Sequence, residues 1–152
     1  MTIDVGYDLD GVLLPDFDYE GLIAKEHLVN IPQMLEVRRR QHPLFQPNGS
    51  YAIVTGRPLM DEIETLEWVE EYLHVTPAYV CIAGQEQPLT VTESAAFKTV
   101  KILELGISVF VESSEKIAQL MRLMLKEQGI IDRKVFTPTD IFSMSISANL
   151  GS

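Results

Sequence analysis

Asp8 and Asp10 stand two residues apart in VGYDLDGVLL, at the end of an apolar run near the start of the chain, and Gly11 follows them. Burying charge costs free energy unless a partner offsets it, so two acids at the end of a strand need a chemical reason. Alternate residues of an extended chain point the same way, and the two carboxylates can therefore converge on one site while Gly11 lets the backbone turn. Carboxylates that close repel unless a cation lies between them or one keeps a proton. Phosphoryl transfer suits that arrangement: one carboxylate attacks phosphorus, a metal neutralises the anions, and a second acid protonates the departing oxygen. A solvated turn with two acids is the plainer alternative, since Asp-x-Asp-Gly alone is a short motif. An EF-hand loop is excluded, because Val12 stands where a third oxygen ligand would be needed.

Three further stretches bear on the same chemistry. YAIVTGRP ends an apolar run with Thr55, whose hydroxyl can donate to a phosphoryl oxygen. Gly56 then opens a turn whose backbone N–H groups can point the same way, Arg57 is a candidate substrate contact, and Pro58 starts a helix. Thr55 as a simple helix cap is the competing reading. Lys98 falls in the first turns of a later helix, and Glu112 just past the next apolar strand. A lysine there can neutralise nucleophile and substrate, and a glutamate can help to hold a divalent cation.

The elements that must position these residues are legible as alternating strands and helices. Strands are expected at Ile3 to Tyr7, Tyr51 to Val54, Ala78 to Ile82, Ile107 to Val111 and Lys134 to Phe136. From Asp61 the residues Ile63, Leu66, Val69 and Leu73 recur at helical spacing as one buried face. A helix from about Ser94 to Leu105 has Phe97, Val100, Ile102 and Leu103 as its apolar side and stops at Gly106; another runs from Ser114 to Gln128 and ends at Gly129. Strands separated by helices need crossovers, which predicts a parallel sheet covered on both faces. Pro32 divides the segment from Tyr19 to His42, and HPLFQPNGS reads as a loop. In such sheets ligands collect beyond the carboxyl ends of the strands, where Asp8, Thr55 and Glu112 are expected.

An acid pair after the first strand, Thr after the second, Lys on a later helix and an acid after the next strand: in this order the chain resembles the haloacid dehalogenase (HAD)-like phosphatases. DLDGV matches their first motif, IVTGRP the second, the Lys of AAFKTVKILELGI the third and VFVESS part of the fourth, over about Ile3 to Leu120. The resemblance implies a three-layer Rossmann-like fold with a parallel five-stranded sheet, and Mg2+-dependent hydrolysis of phosphomonoesters through an aspartyl-phosphate. It assigns Asp8 as nucleophile and metal ligand, and Asp10 as general acid and base, with its backbone carbonyl on the metal. Thr55 would bind the transferring phosphoryl group and Lys98, with Lys101 in reserve, would fix Asp8 and the phosphate. The fourth motif departs from the pattern: Glu112-Ser113 stands where many relatives carry two acids, or an acid and an amide. Ser113 is a poorer metal ligand, so Glu112 would bear more of the cation. There is no room for a large cap domain, and residues 16–50 are expected to form a small helical lid in one domain spanning 1–152. A nucleotide or other small phosphomonoester is the implied substrate.

Composition agrees with a folded globular domain. Of 152 residues, 46% are apolar and 22% charged, which is ordinary globular usage. Acids outnumber bases by 22 to 12, and the net charge of -10 disfavours nucleic acid polymers and anionic membranes as partners. The single cysteine, Cys81 in AYVCIA, reads as a buried strand thiol and allows no intramolecular disulfide. No basic-then-apolar leader and no run of about 18 apolar residues occurs, which predicts a cytoplasmic protein without a membrane span. A homo-oligomer contact is one way to enclose an open site. The run Arg38, Arg39 and Arg40 can attract a phosphate but reads more simply as a solvated face. Trp68 reads as packing, and His27, His42 and His74 lack metal-ligand spacing. Two other readings compete: a weak or inactive HAD-like protein that binds a phosphorylated ligand or protein partner, and a phosphate-accepting receiver domain. The second lacks its acid after the third strand, where the chain has VCIAGQEQ.

Overall fold

The computed structural model describes residues 3–16 and 36–143. Five strands form one parallel sheet: β1 (Ile3–Tyr7), β2 (Tyr51–Thr55), β3 (Tyr79–Ile82), β4 (Ile107–Val111) and β5 (Lys134–Phe136), in the order β3-β2-β1-β4-β5. The helices α1 (Glu62–Tyr72), α2 (Val91–Leu105) and α3 (Glu115–Glu127) lie between strands in the chain, as parallel pairing requires. The expected strand limits hold to within one residue. Gly6 sits at the centre of the sheet because a Cβ there would stand 2.9 Å from the Phe110 ring, which packs across β1.

The chain reverses sides of the sheet with every residue of β2, and each side has its own core. Ala52 and Val54 join Phe110, Ile102, Met121 and Leu125 under α2 and α3. Tyr51 and Ile53 join Trp68, Val69 and Leu73 of the α1 region, together with Leu9, Leu13 and Leu14 from the turn after β1. Helix ends follow their sequence signals. Thr90 and Glu93 form a reciprocal capping box on α2, Gly106 closes it in the left-handed conformation, and the Ser114 hydroxyl caps α3.

Helix α1 is rotated from its expected face. Val69 and Leu73 are buried, but Ile63 and Leu66 are 67% and 46% exposed, and Thr65 and Trp68 take their inner places. Polar anchors decide the rotation: Trp68 Nε1 donates to the Gln41 carbonyl at 2.7 Å, and Thr65 Oγ1 accepts from Arg57 at 2.8 Å. In α2, likewise, Val100 faces solvent and Lys98 and Thr99 face inward. Cys81 is only half-buried, because β3 is an edge strand.

Of the expected lid, residues 17–35, with Pro32 and His27, lie outside the described residues. Residues 36–39 are helical and 42–50 form the expected loop. Among the described residues no helix is long and apolar enough to cross a membrane.

Candidate active site

Strand pairing alone brings Asp8 and Glu112 together. The Asp8 N–H donates to the Val111 carbonyl at 2.9 Å and the Glu112 N–H to the Phe136 carbonyl at 2.8 Å, so both acids leave the sheet at one carboxyl edge. After Asp8 the chain folds back at once: the N–H groups of Leu13 and Leu14 both donate to the Leu9 carbonyl, and Gly11 turns with φ of 85°. A Cβ on Gly11 would stand 2.5 Å from Asp16 Oδ1 and 2.6 Å from Ser113 Cβ. Gly11→Ala is therefore expected to destabilise the fold by about 2 kcal/mol or more, from left-handed strain together with the displaced Ser113. Thermal melting checks it, and an unchanged midpoint would show that the turn is not so confined.

Lys98 joins the two acids. Its ammonium donates to Glu112 Oε1 and lies 3.4 Å from Asp8 Oδ1. The Ser113 hydroxyl donates to Asp8 Oδ2 at 2.9 Å and lies 3.3 Å from Glu112 Oε2, while the Leu9 N–H donates to Asp8 Oδ1. Asp8, Lys98 and Glu112 are 5%, 3% and 0% exposed. Burial pushes the Asp8 carboxyl up to about 7; Lys98 opposes the rise and Glu112 adds to it. Burial works in the opposite direction on Lys98, to lower its pKa, but the Asp8 and Glu112 carboxylates prevail and hold it above the usual ammonium range. Lys101 pairs with Glu104 near the surface, which leaves Lys98 as the lysine of the site.

Asp10 has different partners. Arg57 grips it with two bonds, Nε to Oδ2 at 2.8 Å and Nη2 to Oδ1 at 2.6 Å, and Arg38 adds a third to Oδ2 at 3.0 Å. Burial alone would raise the Asp10 pKa, yet the two guanidinium groups hold it below the ordinary carboxylate range. Arg38 also donates to Asp61 Oδ2 at 2.8 Å. The expected solvated face of the arginine run is thus corrected at Arg38, which is buried; Arg39 reaches Glu67 and Glu71, and only Arg40 is largely exposed.

These groups line one cavity of about 380 Å³. Asp8, Thr55, Gly56, Lys98, Glu112 and Ser113 all contribute to it, as expected from their order, and so do Asp10 and Arg57. Thr55 Oγ1 accepts from the Arg57 N–H at 3.2 Å, so it shapes its own turn while facing the site. Sequence reasoning missed Arg38, Asp16 and Asp61 in this wall. Asp16 is an acid that follows Pro15, and Asp61 is an acid at a helix start; neither carries a pattern that marks it. Among the described residues no group of three or more His, Cys, Asp or Glu side chains is arranged to hold a metal ion. Asp8 and Glu112, joined by the Ser113 hydroxyl, are the hard-oxygen donors closest to such a group. No protein-family model and no curated protein matches the chain.

Proposed function

We propose that the protein is a HAD-like phosphatase, a hydrolase of small phosphomonoesters that passes the phosphoryl group through Asp8. The observation that carries this reading is the meeting of Asp8, Thr55, Lys98 and Glu112, from four separate elements, around one cavity at the carboxyl edge of a parallel sheet. An Asp8 oxygen attacks phosphorus and the ester P–O bond breaks. Thr55 holds a phosphoryl oxygen, and Lys98 stabilises the charge shared by nucleophile and phosphate. Asp10 gives a proton to the departing alcohol oxygen and then removes one from the water that opens the acyl phosphate. For this the incoming phosphoryl anion draws Arg57 away from Asp10, whose carboxyl is then able to take up a proton.

Mg2+ commonly binds through one or two carboxylates and keeps several waters, and a pair such as Asp8 and Glu112 with an adjoining hydroxyl suits it. Bound there, the ion would supply positive charge against the carboxylates and the phosphoryl oxygens. A nucleotide is within the substrate class. One observation favours a second reading, a phosphate-binding protein with little turnover: the doubly gripped Asp10. Hydrolysis of an aryl phosphate decides between them. The phosphatase reading expects turnover that a chelator abolishes and Mg2+ restores; a folded chain inert over a broad phosphate panel points to the binding protein.

A further inference from the structure

We infer that Asp61 is a specificity residue, whose Oδ1 accepts a hydrogen bond from a hydroxyl or ammonium group on the alcohol part of a bound phosphate ester. The inference rests on the phosphate-ester reading above and names the kind of ester. Asp61 is 1% exposed, and its Oδ2 is taken by Arg38. Its Oδ1 is buried with no hydrogen-bond partner, and Asp61 is one of the residues that line the same cavity as Asp8 and Thr55. Buried carboxylate oxygens are almost always bonded, because leaving one without a donor forfeits its hydration for nothing in return. An orphan acceptor on a residue that lines a ligand-sized cavity is therefore a place for a donor that arrives with the ligand, once the carboxylate turns to meet it.

The position of Asp61 fixes which part of the ligand supplies that donor. Arg38 bridges Asp10 and Asp61, bonding one with Nη2 and the other with Nη1. With Asp10 serving the departing oxygen, as proposed, Asp61 is its neighbour across one guanidinium group, which associates it with the alcohol part of the ester. A hydroxyl or ammonium one or two carbons from the ester oxygen suits this spacing. A purely hydrocarbon alcohol would bury Oδ1 still unpaired, and a second phosphate would meet a carboxylate.

Three esters separate these cases: propyl phosphate, glycerol 3-phosphate and phosphoethanolamine. Their binding is measured by calorimetry on the Asp8→Asn chain, which cannot turn them over. The expected result is that one or both donor-bearing esters bind about 10- to 100-fold more tightly than propyl phosphate, as a bond to a charged acceptor implies. Adding Asp61→Asn should bring phosphoethanolamine, whose ammonium can only donate, to within about twofold of propyl phosphate, while glycerol 3-phosphate keeps part of its advantage because its hydroxyl can accept from the new amide. Arg38 keeps the amide oxygen of the new side chain, which turns its NH2 donor towards the ligand. Equal affinities with Asp61 present would overturn the inference, as would failure of every ester to bind. It would also fall if Asp61→Asn weakened the three alike, since Asp61 would then only support Arg38. If the Asp61→Asn chain does not fold, the three-ester comparison on the Asp8→Asn chain decides alone. Absence of Mg2+-dependent turnover by the unaltered chain would sink the phosphatase reading separately, because the binding comparison uses no turnover.

Discussion

Asp8→Asn is expected to reduce Mg2+-dependent hydrolysis of an aryl phosphate by at least about 10³-fold, and to make the metal-free protein more stable at pH 8. The first effect follows from removing the nucleophile that the proposed phosphatase reading assigns to Asp8. The second follows from where the carboxyl is held. Its pKa rises from the ordinary 3.8 to about 7 in the folded chain, chiefly through burial. Between those values the folded state keeps a proton that the unfolded state has released, so stability falls as pH climbs through that window. Above it, folding must bury an ionised Asp8. The amide has no proton to lose. The variant should therefore exceed the parent by on the order of 2 kcal/mol at pH 8, with the gap closing towards pH 4. Thermal melts of both chains across that range, with chelator present, measure it. Parallel pH profiles would show that the Asp8 carboxyl is not held above its ordinary range.

Lys98→Met is expected to be the most damaging single substitution, at about 3 to 5 kcal/mol at pH 8. Methionine matches the length and much of the volume of lysine, so little packing is lost. The damage is electrostatic: Glu112 and Asp8 keep their burial and lose the one ammonium they share. Acid should rescue the variant, since protonating Asp8, whose carboxyl burial already pushes up to about 7 in the parent, removes the repulsion, and Glu112→Gln in the same chain should recover much of the loss at pH 8. Denaturant unfolding at pH 5 and pH 8 tests both. A loss independent of pH and untouched by Glu112→Gln would assign the damage to packing instead.

The strands were legible because buried parallel strands are short apolar runs bounded by turn residues, and all five fall where such runs lie. The order of Asp8, Thr55, Lys98 and Glu112 was legible for a related reason, since a parallel sheet puts every strand's carboxyl end on one edge. Partner choice was not. Arg38, Arg39 and Arg40 are identical in type, yet successive helical positions face different surroundings, and only the first meets Asp10 and Asp61. Arg57 could be placed at the site but not on Asp10, because its reach depends on Thr65, which an apolar periodicity had assigned to no face. Asp61 became visible only when the bonds of each of its oxygens could be followed one at a time.

The cavity wall also bears on how the cycle would end. Among the described residues it holds five carboxyl groups, from Asp8, Asp10, Asp16, Asp61 and Glu112. Three cationic side chains, from Arg38, Arg57 and Lys98, face them there. With every group ionised the chamber is left with surplus negative charge, tolerable to a substrate anchored at both ends but inhospitable to inorganic phosphate, which has only the phosphoryl contacts to hold it. Such a chamber would discharge its own product, and accumulating phosphate would inhibit it feebly.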